Sequence, residues 1–137
     1  MSRRGISTGS SFEAAYGYSR AVIEDGWIFV AGTTGFDYAT GEIKPDVESQ
    51  TRQTLKTIEV VLAEAGATLA DIVQSRIIIA DQSDAERVLT VYGQVIGAAV
   101  GDGVRPTSTA IVSRLIDDRM KVEIEVTARQ PARHKAD

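Results

Sequence analysis

Apolar and polar positions alternate along this chain with two different periods. Between 46 and 65, Val47, Thr51, Leu55, Ile58, Leu62 and Ala65 recur at three- and four-residue steps, which predicts one helical stripe. Gly66 follows where a C-terminal cap belongs. A second stripe of Ala85, Val88, Leu89, Tyr92, Val95, Ile96 and Ala99 predicts a helix over 83–100, and Ser83-Asp84-Ala85-Glu86 reads as its capping box. The segment "YSRAVIEDGWIFVAGTTG" reads as a hairpin turning at Asp25-Gly26. Residues 73–80, 107–114 and 121–128 read as strands, the last two joined by "LIDDRM", while "FDYATGEIKP" and "GDGVRP" read as loops.

The order is strand, strand, helix, strand, helix, strand, strand, so an α+β sandwich of two helices over one sheet is expected. Period two splits each strand into faces. Val122, Ile124, Val126 and Ala128, with Ala110 and Val112, are assigned to the helix side. Glu123, Glu125 and Thr127, with Thr107, Thr109, Ile111 and Ser113, are assigned to the other. That second face also carries the apolar bulk of Trp27, Phe29 or Val30. Large apolar patches are rarely left open, so a rotationally symmetric homo-oligomer is expected to cover it. Residues 1–15 read as a flexible arm, 16–129 as a single domain and 130–137 as a polar tail.

Composition narrows the chemistry. The 137 residues suit one domain, and 43% hydrophobic with 25% charged residues suits a globular one. No apolar run approaches the ~20 residues of a membrane span. No apolar stretch follows the N-terminal arginines, so no secretory signal is read and the cytoplasm is expected. A net charge of -4 without a Lys/Arg run disfavours nucleic acid as a partner. The absence of cysteine excludes disulfides, thiolate nucleophiles and Cys-ligated zinc. The one histidine, His134, lies in the tail, which removes the usual Ser-His triad. There is no Gly-x-x-x-x-Gly-Lys phosphate loop. With no cysteine and that single histidine most zinc sites are removed too, and no metal site is expected.

Carboxylate, hydroxyl, Arg and backbone chemistry remain. Glu123 could activate a water if partly buried, because burial raises a carboxylate pKa towards neutrality. Arg105 could clamp a substrate carboxylate, Tyr18 could line a pocket, and Thr33 and Thr34 after Gly32 could offer hydroxyls and N–H groups at a strand end. Each also has a plain structural reading: strand carboxylate, surface cation, hairpin packing, ordinary turn.

Three stretches carry a resemblance over about residues 16–128: "YSRAV…GWIFVAGTTG", "TGEI…VESQTRQTLKTIEVVLAEAGATLADIVQSRIII" and "KVEIEVTA". In order and spacing they resemble the RidA/YjgF family of reactive intermediate deaminases, also labelled L-PSP endoribonucleases or translation inhibitors. The first is similar to that family's Tyr-Ser-Gln-Ala…Ser-Gly-Gln hairpin and the last to its Val-Glu-Ile-Glu strand. The resemblance implies a chorismate-mutase-like fold, with a mixed sheet and two helices on one face. It implies a homotrimer with small-molecule clefts between subunits. It further implies cofactor-free hydrolysis of enamines and imines to ammonia and a 2-keto acid. Tyr18 then falls on the hairpin Tyr, Gly32 on the Ser-Gly-Gln glycine with Thr33 replacing its Gln, and Glu123 on the water-positioning Glu. Thr107 falls on the carboxylate-binding Arg, which is thereby missing from its place. Arg105, two residues earlier and about 6–7 Å along an extended strand, is a candidate replacement; an Arg of a neighbouring subunit, such as Arg20, is another. Thr109 would line the cleft. The expected function is hydrolysis of an atypical imine or enamine. The alternatives are a non-catalytic metabolite-binding protein and, weakest on charge, a ribonuclease.

Overall fold

The computed structural model describes residues 3–132, so Met1, Ser2 and the tail from 133, including His134, lie outside the described residues. The expected loose arm is instead built into the fold. It holds a short strand, β1 (Arg4–Ile6), and a six-residue helix, α1 (Ser11–Tyr16). β1 adds to the sheet edge with Ile6 opposite Ala21, and Ile6 is buried. Ser10 caps α1, and Gly17 ends it in the left-handed region at φ 74°.

The predicted hairpin is β2 (Ala21–Glu24) and β3 (Trp27–Thr34). Asp25 and Gly26 between them have φ of 54° and 83°. Such paired positive values belong to the tight turn that matches strand twist, and they favour Asp-Gly. The stretch read as a polar loop contains a two-rung hairpin, β4 (Phe36–Asp37) with β5 (Glu42–Ile43). The first long helix, α2 (Val47–Glu64), starts at an Asp46 cap, and all six predicted stripe residues are buried.

β6 (Ile72–Ile79) leads to α3 (Ala85–Val100). The capping box does not form. Asp81, not Ser83, accepts a backbone hydrogen bond, from Ser83 N, and starts a 3-10 turn over 82–84. Val88, Tyr92 and Ile96 are buried as expected, Val91 joins them, and Leu89 and Ala99 are exposed. β7 (Thr107–Val112) and β8 (Val122–Arg129) complete the chain.

The six-stranded sheet has the order β1-β2-β3-β8-β6-β7. β6 and β7 are parallel and all other neighbours antiparallel. The two last strands are therefore not partners, since β6 lies between them; α3 supplies the crossover that a parallel β6–β7 pair requires. Both long helices cover one face, on which Leu55, Ile58 and Leu62 meet Ile77, Ile79, Val122, Ile124 and Val126. Val30 belongs to this core, opposite Val126, and not to the open face. Register puts Ala110 and Val112 on the helix side as expected. Both are nonetheless exposed, because β7 is the sheet edge. Among the described residues no helix is long and apolar enough to cross a membrane.

Candidate functional site

The open face of β8 carries Glu123 and Glu125 into a cleft of about 470 Å³. Its floor is Ala31 and Gly32 of β3 with Arg20 at the head of β2. One wall is Phe12 and Tyr16 of α1, whose rings stack at 5.9 Å, with Tyr18. The other is Phe36 and Tyr38 with Ile116 and Met120 of the β7–β8 loop.

A bulge shapes the floor. Val30 faces Val126 but Thr33 faces Ile124, so β3 spends three residues where β8 spends two. Such an insertion bends the strand and re-aims the side chains beyond it. Thr33, which unbroken alternation would place beside Phe29 on the open face, is turned to the helix side and fully buried. Its hydroxyl donates to Ala31 O at 2.8 Å. Thr34 takes its place at the cleft. The bulge also lays Gly32 against Glu123: a Cβ there would stand 2.8 Å from Glu123 Cδ and 2.9 Å from Oε2. Only glycine leaves room for the carboxylate.

Glu123 is half-buried, and its pKa is raised. Burial is the main cause, the Glu125 charge adds to it, and Arg20 opposes both. Glu125 is paired across the sheet with Arg76 at 3.2 Å. Burial likewise raises the Tyr18 phenol, so it stays protonated. A carboxylate with lifted proton affinity beside a neutral hydroxyl can hold a water and accept its proton.

Arg20 is a residue the sequence pattern offered only as a neighbouring subunit's contribution. It lies in the same subunit as Glu123 and is 1% exposed. Nη1 donates to Gly32 O at 2.8 Å and to Thr33 Oγ1 at 3.1 Å, and Nη2 donates to Tyr18 Oη at 3.2 Å. The guanidinium lies 5.5 Å and 4.7 Å from the ring centres of Tyr18 and Tyr38. Phe12, Tyr16, Phe36 and Tyr38 were also missed. Phe12 belongs to the segment read as arm and Phe36 and Tyr38 to one read as loop, where polar composition hid the aromatic residues; Tyr16 lies between the arm and the hairpin.

Of the expected site residues, the cleft thus gathers Tyr18, Gly32, Thr34 and Glu123. Thr33 points away from it. Thr107 and Thr109 share the open face but not the cleft of their own subunit. Glu123 is level with Ile78 and, through it, with Ile111. Thr109 is two rungs and two strands from that level, about 11 Å away at ordinary sheet spacings, and Thr107 about 16 Å. Arg105 is exposed in the loop before β7, so the strand that was to carry it towards Thr107 does not extend that far.

Comparison with known proteins agrees with this architecture. The sequence profile of the family described as Endoribonuclease L-PSP matches residues 8–130. The chain belongs to this family, the RidA/YjgF family. A RutC family protein of Pyrococcus abyssi is 36% identical over 113 residues, 81% of this chain and 84% of that protein. A 2-iminobutanoate/2-iminopropanoate deaminase of Capra hircus is 32% identical over 129 residues, covering 93% and 90%. The crystal structure of a Mycobacterium tuberculosis member of the YjgF/YER057c/UK114 family is similar with a TM-score of 0.80 and 41% identity, over 93% of this chain and 99% of that one. The RidA/YjgF hairpin motif has Gln at the positions of both Arg20 and Thr33. In this member a long cation and a short hydroxyl residue are hydrogen-bonded to each other instead.

Proposed function

We propose that the cleft hydrolyses an imine or enamine-derived imine, with Glu123 as the residue that holds the attacking water. The observation that carries this reading is the raised, half-buried Glu123 carboxyl lying on Gly32. The Glu123 carboxylate accepts a proton as water oxygen bonds to the imine carbon. Glu123 returns that proton to the nitrogen, the hydroxyl proton of the resulting carbinolamine follows it, the C–N bond breaks, and R₂C=NH plus H₂O becomes R₂C=O plus NH₃. Deaminase relatives such as the Capra hircus protein support the reaction class.

The substrate is proposed to differ from a 2-imino acid. Thr107 supplies no cation for a carboxylate, and the cleft walls are mostly aromatic and apolar. A small imine with an apolar substituent fits them better.

The cleft is proposed to lie between copies in a homotrimer in the cytoplasm. On the open face Trp27, Phe29 and Ile111 are 38%, 49% and 43% exposed. β7 is exposed along its whole length and has a free edge. A second copy offering its β7 would cover this surface and bring Thr107 and Thr109 to the cleft of its neighbour.

Ammonia release from 2-iminobutanoate and from an uncharged imine of similar size tests the reading. The uncharged imine is expected to give the higher kcat/KM, by tenfold or more. Glu123→Gln should lower kcat by about 10²–10⁴, the range for a lost general base. Release at the uncatalysed rate from both substrates, with ligand-dependent thermal shifts, would favour the non-catalytic binding protein instead.

A further inference from the structure

A fully buried arginine ordinarily sits beside a carboxylate, because an unpaired charge is costly to remove from water. Arg20 does not. Among the described residues it forms no ion pair, and its Nε is the one buried side-chain nitrogen or oxygen without a hydrogen-bond partner. Its remaining partners are neutral: a carbonyl, two hydroxyls and two phenol rings. Those rings offset part of the cost, since an aromatic face attracts a desolvated guanidinium. Neither they nor the more distant Glu13, already held by Thr8, accounts for a guanidinium aimed at the Gly32 carbonyl.

The explanation lies on the other side of one residue. Nη1 holds the carbonyl of Gly32, and the Cα of Gly32 lies directly against the Glu123 carboxylate. We infer that Arg20 is a positioning residue for Glu123: through the Gly32 peptide and its own buried charge it keeps that carboxylate ionised and seated on the bulge. The inference deepens the reading of Glu123 given above and rests on it for its functional meaning.

The other groups facing Glu123 cannot do this. Glu125 beside it on β8 repels a second negative charge, and Arg76 on β6 is tied to Glu125. Tyr16, Tyr18 and Tyr38 around the cleft are phenols. Arg20 is the cation that acts on Glu123, and it opposes both burial and Glu125. Thr33 makes the arrangement possible, because its short side chain accepts from Nη1 where a longer one would occupy that space.

The test is a carboxyl-detected NMR titration of the full-length protein labelled at glutamate, with the Glu123 signal identified by its loss in Glu123→Gln. In Arg20→Gln the Glu123 midpoint is expected to move to higher pH by about one unit or more, the size of effect for a nearby opposite charge. Arg20→Lys, which keeps the charge, should stay near wild type. If Arg20→Gln alone does not fold, Arg20→Gln/Thr33→Gln restores the paired Gln residues of the hairpin motif and should show the same upward shift. An unmoved midpoint in a folded Gln variant, or an equal shift in the Lys variant, would overturn the inference. The titration needs no substrate. A shift without any hydrolysis would sink the enzymatic reading alone, and hydrolysis without a shift would sink this one alone.

Discussion

At the scale of single residues, the proposed chemistry rests on the contact between Gly32 and Glu123. Gly32→Ala places a methyl within 3 Å of the carboxylate, whose far end can swing aside. The fold should therefore survive, at a cost of about 1–2 kcal/mol for local overpacking. The seat of the carboxylate should not: kcat should fall towards that of Glu123→Gln, measured in the same ammonia assay. Glu123 itself destabilises the protein where it is ionised. Its folded pKa is raised, so it favours the folded state at acid pH, below its unfolded value, and this contribution is lost as pH rises through the folded value. Glu123→Gln should accordingly raise the melting temperature at pH 7–8, by a few degrees. The gain should vanish near pH 4. A variant no more stable at pH 8 than at pH 4, relative to wild type, would show that the carboxyl is not strained by its surroundings.

At the scale of elements, periodicity was enough to reveal both long helices, the hairpin and the two faces of β8, because each stripe there runs unbroken for several residues. It failed where alternation is interrupted. The β3 bulge moves Thr33 off the face that counting assigns to it, and nothing in "VAGTTG" beyond its small residues marks the extra residue. The pairing of β7 with β6, not β8, is a non-local choice that "LIDDRM" does not encode. The missed Arg20 is a burial effect: an arginine beside a turn reads as a surface cation until Tyr18, Gly32, Thr33 and Tyr38 close around it. Gln50 shows how the cleft's outer wall is held. The amide is 1% exposed, donates to Lys44 O at 2.7 Å and Arg119 O at 2.9 Å, and accepts from Lys121 N at 2.9 Å. It ties α2 to the start of β8 and to the loop bearing Met120. Gln50→Ala orphans those backbone groups and should cost about 2–4 kcal/mol in urea unfolding. Amide exchange should quicken most over 117–121. Uniform loosening of the whole sheet would mean that the clamp acts globally.

At the scale of the whole molecule, the two faces of the sheet have opposite fates. One is closed by α2 and α3. The other leaves aromatic side chains in solvent and ends at an unpaired strand, which is the pattern of a surface made for another copy. If each cleft joins the Glu123 wall of one subunit to the β7 strand of the next, damage to the two walls can be separated. Glu123→Gln removes the water-holding group, and Thr109→Phe fills the cleft of the neighbouring subunit without breaking strand propensity. Each variant alone should be inactive. In a ring assembled at random from equal amounts of both, a cleft is intact when a Thr109→Phe subunit supplies Glu123 and a Glu123→Gln subunit supplies β7. That arrangement arises at one in four interfaces, so co-refolding the two dead proteins should restore about a quarter of wild-type activity in a rotationally symmetric oligomer. If both walls came from one subunit, no mixture could contain an intact cleft, and activity would stay at zero even where native mass spectrometry finds mixed oligomers.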